Sequence, residues 1–269
     1  MLNTLYYASP YQSIFKILTD CNTLVDMIHL KYGRYIYTQY PDNLVNFIIS
    51  AKKQNEQYII TTKDSSILTT DPLFYIDKYF FENKIYDSKI WAIHGASVEY
   101  QKKAYLFIAP TTTGKTTLIS YLSSLGFGYV AEDCILMDKK DYVIHPCTAP
   151  IKLRKGGVTV LKKEGILKEE PQKLQIGSIC RYIYQPSTYI EQSLPLGAIY
   201  FIERNSHTNA LKQLSSAQKI ENLLKSPLVS YDLTSEYLKF IFHLSQTNCQ
   251  LLQYKNMSYV ADTIKKSIT

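Results

Sequence analysis

With 46% hydrophobic and 20% charged residues over 269 positions, the chain has the composition of a globular protein with a proper core, not of a disordered one. Its length suits one domain of about 180 residues and a smaller one. The net charge of +7 is uneven: residues 1–87 carry −1 and residues 88–269 carry +8. A basic second part suits an anionic partner such as a nucleotide or an acidic substrate. Nucleic acid is the weaker reading, because the basic residues are not interleaved with aromatics in a recognisable motif. No run of about 18 apolar residues occurs, and Met1-Leu2-Asn3-Thr4-Leu5-Tyr6-Tyr7 lacks the basic start and apolar stretch of a signal peptide. The expectation is a cytoplasmic protein with no membrane span. The five cysteines are scattered with no Cys-x-x-Cys pair, which argues against a disulfide framework and a zinc site.

Residues 1–87 read as a small α+β domain, with apolar clusters at Ile14-Phe15, Tyr35-Ile36-Tyr37 and Tyr58-Ile59-Ile60 separated by polar turns such as Pro41-Asp42-Asn43. No chemistry can be assigned to them, and they are candidates for acceptor or partner recognition. From Asp71 the pattern turns helical, with Asp71 as N-cap, Pro72 in the first turn, and Leu73, Ile76, Tyr79 and Phe80 on one face.

Residues 88–269 form the second expected domain. Ile90 to Tyr100, the turn Gln101-Lys102-Lys103 and the run Tyr105-Leu106-Phe107-Ile108 read as antiparallel strands. The last delivers Ala109-Pro110-Thr111-Thr112-Thr113-Gly114-Lys115-Thr116, whose spacing is that of a phosphate-binding P-loop with alanine in place of its first glycine. Leu118, Ile119, Leu122 and Leu125 at helical spacing place a helix directly after it. A strand, tight loop and helix in that order aim backbone N–H groups at one point. Nucleotide-binding candidates are therefore Thr111, Thr112, Thr113, Gly114, Lys115, Thr116 and Thr117. Gly114 allows close approach, Lys115 reaches the β/γ oxygens, and the Thr116 hydroxyl can join a Mg²⁺ shell. The plain alternative is a threonine-rich helix cap with a solvated lysine.

The next strand, Gly128-Tyr129-Val130-Ala131, ends in Glu132-Asp133, which resembles a Walker B arrangement presenting a carboxylate to Mg²⁺. Residues 135–137 and 142–144 predict a hairpin. Pro150 to Gly157 is basic and glycine-bearing, and 158–196 reads as irregular. Ala198 to Ile202 predicts a strand buried on both faces. Ser215 and Gln218 have capping-box spacing, a further helix is expected near 235–244, and a strand at 249–254 and a helix at 260–268 close the chain. His29, His145, His207 and His243 read as structural.

His94-Gly95, the P-loop at 109–116 and Glu132-Asp133, taken in order, resemble the catalytic domain of HPr kinase/phosphorylase and its serine-kinase relatives over about residues 88–262. The resemblance implies a mixed α/β sheet of the HPr kinase/carboxykinase type and a kinase that uses ATP and Mg²⁺. The acidic pair is Glu-Asp where that family usually has Asp-Asp. The glycine-rich signature linked to phosphorolysis is missing downstream, and Pro150 to Gly157 looks like the segment of the smaller relatives associated with peptide-modification clusters. A kinase without the reverse reaction is implied.

By that resemblance Lys115 and the loop amides hold the β/γ-phosphates, Thr116 and Asp133 hold Mg²⁺, and Glu132, Asp133 or both orient and deprotonate an acceptor hydroxyl. His94 sits by the transferred group or tunes the acids, and Arg154 or Lys155 steadies charge on the acceptor or transition state. The implied acceptor is a serine of a peptide or small protein, and a homo-oligomer is left open. Two alternatives stand beside this: a kinase of a small-molecule hydroxyl such as free serine, and a nucleotide-binding regulatory protein that transfers nothing. Taken singly, His94 also reads as a core histidine and Glu132 as a salt-bridged surface acid, while Arg154 and Lys155 read equally as a solvated loop.

Overall fold

The computed structural model describes residues 2–8, 13–85, 89–176, 179–204, 207–227 and 234–267. Its elements run β1 (Asn3–Ala8), β2 (Ile14–Thr19), α1 (Asn22–Tyr32), β3 (Ile36–Tyr37), β4 (Phe47–Gln54), β5 (Gln57–Thr61), β6 (Ser66–Thr69) and α2 (Pro72–Ile85). Then follow β7 (Ile90–His94), β8 (Ala96–Tyr100), β9 (Lys103–Ile108), α3 (Lys115–Ser124), β10 (Gly128–Ala131), β11 (Cys134–Asp138), β12 (Ile144–His145) and β13 (Ile151–Leu153). The rest are α4 (Lys155–Lys163), β14 (Gln172–Ile176), β15 (Ile179–Tyr184), β16 (Leu196–Arg204), β17 (Ala210–Gln213), α5 (Ser216–Leu224), α6 (Ser235–Gln246), β18 (Cys249–Tyr254) and α7 (Met257–Lys266). Helices and strands mix in one chain, so the protein is a mixed α/β structure.

Two compact units divide the chain. The first comprises Met1–Ser88, Lys152–Lys155 and Glu170–Gln185; the second comprises Lys89–Ile151, Gly156–Glu169 and Pro186–Thr269. The expected boundary at 87/88 falls in 86–88, outside the described residues. A single cut does not separate the units, since the two later segments group with the first.

In the first unit, six strands are ordered β3-β1-β2-β4-β5-β6. Burial along β4 alternates, with Ile49 and Ala51 inside and Ile48 outside, the period-2 signature of a sheet covered on one face. That face packs on Leu24 and Ile28 of α1 and Leu73 and Ile76 of α2. Asp71 caps α2 as expected, accepting from the Phe74 N–H at 2.9 Å. Tyr7 stacks on Phe80, ring centroids 4.5 Å apart. Leu174 of β14 and Ile183 of β15 belong to the same core. Lys31 is buried yet charged-paired, with its ammonium 2.5 Å from Asp77 and donating to the Leu73 carbonyl at 2.9 Å, while the Tyr32 hydroxyl donates to Asp77 at 2.7 Å.

The second unit is built on a sheet ordered β10-β8-β9-β16-β18-β17, with a smaller sheet β12-β11-β7 beside it. Strands β9, β16 and β18 are mutually parallel. Alternation along β9 sends Ala104, Leu106 and Ile108 into a core shared with Phe240, Ile241 and Leu244 of α6. Tyr105 and Phe107, equally buried, face the side where Ser267, just past α7, lies by the Tyr105 and Tyr200 hydroxyls. Helices thus cover both faces, and β16 is buried on both as its apolar run predicts. The expected hairpin forms between β11 and β12, and the capping box of Ser215 and Gln218 opens α5. The expectation of an irregular 158–196 is corrected: α4 continues to Lys163, and β14 and β15 pair antiparallel. The last residues of the expected 260–268 helix reach position 268, outside the described residues.

Candidate phosphate-binding site

Strand β9 runs straight into the loop 109–114, and α3 begins at Lys115. Gly114, the N-cap, has φ 103°, a left-handed conformation open to glycine at little steric cost. Thr112 also has a positive φ of 72°, so the loop is a tightly folded hoop and not an extended connection. Thr113 closes it, its hydroxyl donating to the Pro110 carbonyl at 2.8 Å. Thr111 and Thr112 are exposed and Thr113, Gly114, Thr116 and Thr117 half-buried, while Lys115 is buried. The first turn of α3 carries no side-chain cap, which leaves its amides directed at the mouth of the loop.

Lys115 arches back over the hoop, donating to the carbonyls of Ala109 at 2.7 Å and Pro110 at 3.2 Å. Burial pulls its pKa down, opposed by the negative charges of Asp133 and then Glu132. The Lys115 ammonium is also 3.3 Å from His94 Nε2, and His94 Nδ1 is 3.2 Å from the Asp133 carbonyl oxygen. A carbonyl only accepts, so Nδ1 carries the proton and Nε2 accepts from Lys115, which assigns the neutral Nδ1–H tautomer. Burial first and Lys115 second lower the His94 pKa, in keeping with that form.

His94 owes its place to Gly95. There the chain leaves β7 of the small sheet and enters β8 of the large one. A Cβ on Gly95 would stand 2.7 Å from Ile135 Cδ1 and 3.0 Å from the Phe107 carbonyl oxygen. The corner can therefore press against the end of the P-loop strand only as glycine. Pairing of β7 with β11 sets His94 opposite Cys134, next to the acidic pair.

The two acids are placed differently. Glu132 is buried and accepts a hydrogen bond from the Thr116 hydroxyl at 2.9 Å. Asp133 is exposed and sits at φ 63°, with the Cys134 N–H closing onto the Glu132 carbonyl at 2.8 Å across it. A three-residue turn with positive φ is an uncommon backbone for a residue bearing a Cβ, and such outliers concentrate at functional sites. The sequence reading put Thr116 and Asp133 on the metal; the fold pairs Thr116 with Glu132. The longer glutamate spans from the strand end to the first turn of α3, while the turn directs Asp133 outward.

Among the described residues no three His, Cys, Asp or Glu side chains gather as a metal cage. Thr116 and Glu132 offer oxygen donors only, the kind that suits Mg²⁺, which is held by one or two carboxylates together with substrate phosphates. Arg154 and Lys155 are exposed and belong to the first unit, so they are not among the residues that the second unit itself assembles around the loop.

Tyr254 escaped the sequence reading. It is buried at the end of β18, with its hydroxyl 3.7 Å from where a Gly114 Cβ would stand. The signal that could have found it is topological: in sheets with parallel strands, ligands meet residues at the carboxyl ends of those strands, and β18 runs parallel to β16, which runs parallel to β9.

No family model matches the chain, and no curated protein matches it. Among solved structures it is similar to the Hpr(Ser) kinase/phosphatase from Coxiella burnetii, at 11% sequence identity and a TM-score of 0.32, over 68% of this chain and 100% of that one.

Proposed function

We propose that the protein is an ATP-dependent kinase that transfers the γ-phosphate to a hydroxyl, the serine of a peptide or small protein. The observation that supports this is the convergence on one loop of Lys115, neutral His94, the Thr116–Glu132 pair and an outward-facing Asp133. A nucleotide-binding module alone does not need the two acids beside its loop. Phosphoryl transfer asks mainly for positioning and charge neutralisation. The loop amides and Lys115 hold the β/γ-phosphates, and Lys115 leaves its two loop carbonyls to do so. Glu132 and Thr116 would hold a Mg²⁺ ion, which would supply charge neutralisation to the phosphates. Asp133 accepts the proton of the acceptor hydroxyl as its oxygen bonds to the γ-phosphorus and the bond to the β–γ bridging oxygen breaks, leaving ADP. His94 holds Lys115 and the Asp133 backbone in register.

The test is labelled ATP with Mg²⁺, offered candidate peptides and free serine as acceptors. Label on a peptide serine supports the reading, and label on free serine alone moves the acceptor to a small molecule. Tight ATP binding with no acceptor labelled would leave a nucleotide-responsive regulator. Lys115→Ala is expected to abolish nucleotide binding or turnover. Asp133→Ala is expected to fold and bind ATP while losing most of the transfer rate; unchanged turnover would remove Asp133 from the mechanism.

A further inference from the structure

Beside the P-loop the second unit has a cleft of about 170 Å³. Gly114 and Thr117 form one wall, while His94, Lys115, Glu132 and Asp133 do not line it. The opposite wall comes from the carboxyl ends of β16 and β18: Arg204 and Tyr254, partners in register, followed by Lys255, Asn256 and the first turn of α7. Val160 of α4 and Met257 of α7 are its apolar surfaces.

Tyr254 is 2% exposed, and its hydroxyl makes no hydrogen bond among the described residues. It lies against the inner face of Gly114. Burial raises its pKa to about 12, so the hydroxyl stays protonated at neutral pH as a donor. Tyr254 lines the cleft wall, so a ligand acceptor there can meet a hydroxyl that has no partner among the described residues to give up. Two cations, Arg204 and Lys255, line the cleft with one carboxylate, Glu164. The side chain of the α7 N-cap, Asn256, makes no cap hydrogen bond, which leaves the first amides of that helix facing the same space.

We propose that this cleft receives the nucleoside end of the nucleotide. This deepens the P-loop reading above and rests on it. With the γ-phosphate among Lys115, Glu132 and Asp133, the phosphate chain runs past Gly114 and Thr117 toward the cleft. The Tyr254 hydroxyl donates to the phosphate next to the ribose, and Arg204 and Lys255 balance its charge. Ribose and base lie between Val160 and Met257.

The experiment titrates the full chain with the Mg²⁺ complexes of ATP and of inorganic triphosphate, which lacks the nucleoside. Wild type is expected to bind ATP more tightly. Val160→Trp, which fills the cleft, is expected to weaken ATP by at least about tenfold and to leave triphosphate within about twofold. Ser258→Trp, at an exposed position on the same wall, repeats the test if the first variant does not fold. Tyr254→Phe is expected to weaken ATP by roughly tenfold to a hundredfold, the range for losing one hydrogen bond to a charged group. Triphosphate and ATP binding equally to wild type, or ATP binding both tryptophan variants like wild type, overturns the cleft assignment alone. Neither ligand binding wild type overturns the P-loop reading and this one together.

Discussion

His94 is the residue whose environment makes the sharpest statement about pH. Its folded pKa lies below 6.5 because it is buried and faces Lys115. Between the folded value and 6.5 the unfolded chain binds a proton that the folded chain refuses, so stability rises with pH through that window. The contribution is present above about pH 6.5 and is lost as pH falls through the folded value. Melting temperatures measured from pH 5 to 8 are expected to drop on the acid side for wild type and to drop less for His94→Asn; parallel curves would remove the neutral histidine from the account. Asp133 sets stability against chemistry. Glycine adopts φ 63° without steric cost, so Asp133→Gly is expected to hold or raise stability by up to about 1 kcal/mol while transfer is lost. A gain in stability with full activity would count against its role as base.

At the scale of elements, the strand–loop–helix unit stands on α3, whose Leu118 and Leu122 are fully buried. Leu122→Ala is expected to cost about 2–5 kcal/mol, read as a lowered denaturant midpoint. Gly95→Ala meets a backbone oxygen as well as a movable Ile135 methyl, and overpacking of that kind costs about 1–3 kcal/mol. A melting temperature equal to wild type would mean that the β7–β8 corner can relax. Much of this level was legible in the sequence, because P-loop spacing, capping boxes and alternating apolar runs are local signals. What escaped is of two sorts. Helix α1 went unnamed because its buried positions, Leu24, Met27, Ile28 and Tyr32, lie in a segment with no acid in its first turn and no side-chain cap to mark the start. The division of labour between Glu132 and Asp133 depends on one backbone φ, which adjacent letters in a sequence do not carry.

For the whole molecule, the first unit rests on an ion pair that burial makes sensitive. Asp77→Ala would leave Lys31 buried with the Leu73 carbonyl as its remaining oxygen partner among those described here, and breaking a buried pair from one side costs about 3–5 kcal/mol. Calorimetry on the full chain checks this. The grouping of residues 152–155 and 170–185 with the first 88 was not legible, because a boundary drawn from composition assumes that a domain is continuous in sequence. A fragment ending at residue 88 lacks Leu174 and Ile183 of its own core, and is expected to show secondary structure with poorly dispersed side-chain signals by NMR; a sharp native spectrum would show those residues to be dispensable.

The discontinuity also sets an order of events during synthesis. Domains ordinarily fold from the N-terminus as they emerge, at about 5–20 residues per second. Here the first unit cannot complete its core until β14 and β15 have left the ribosome, nearly a hundred residues after α2, a delay of roughly 5–20 s. Throughout that interval the P-loop strand and α3 have emerged as well, but β9 still lacks its parallel neighbour β16 and the cover of α6. Both units are therefore incomplete together during that interval, and the half-built apolar face of the first is where nascent chains of this protein are exposed to chaperones and to one another.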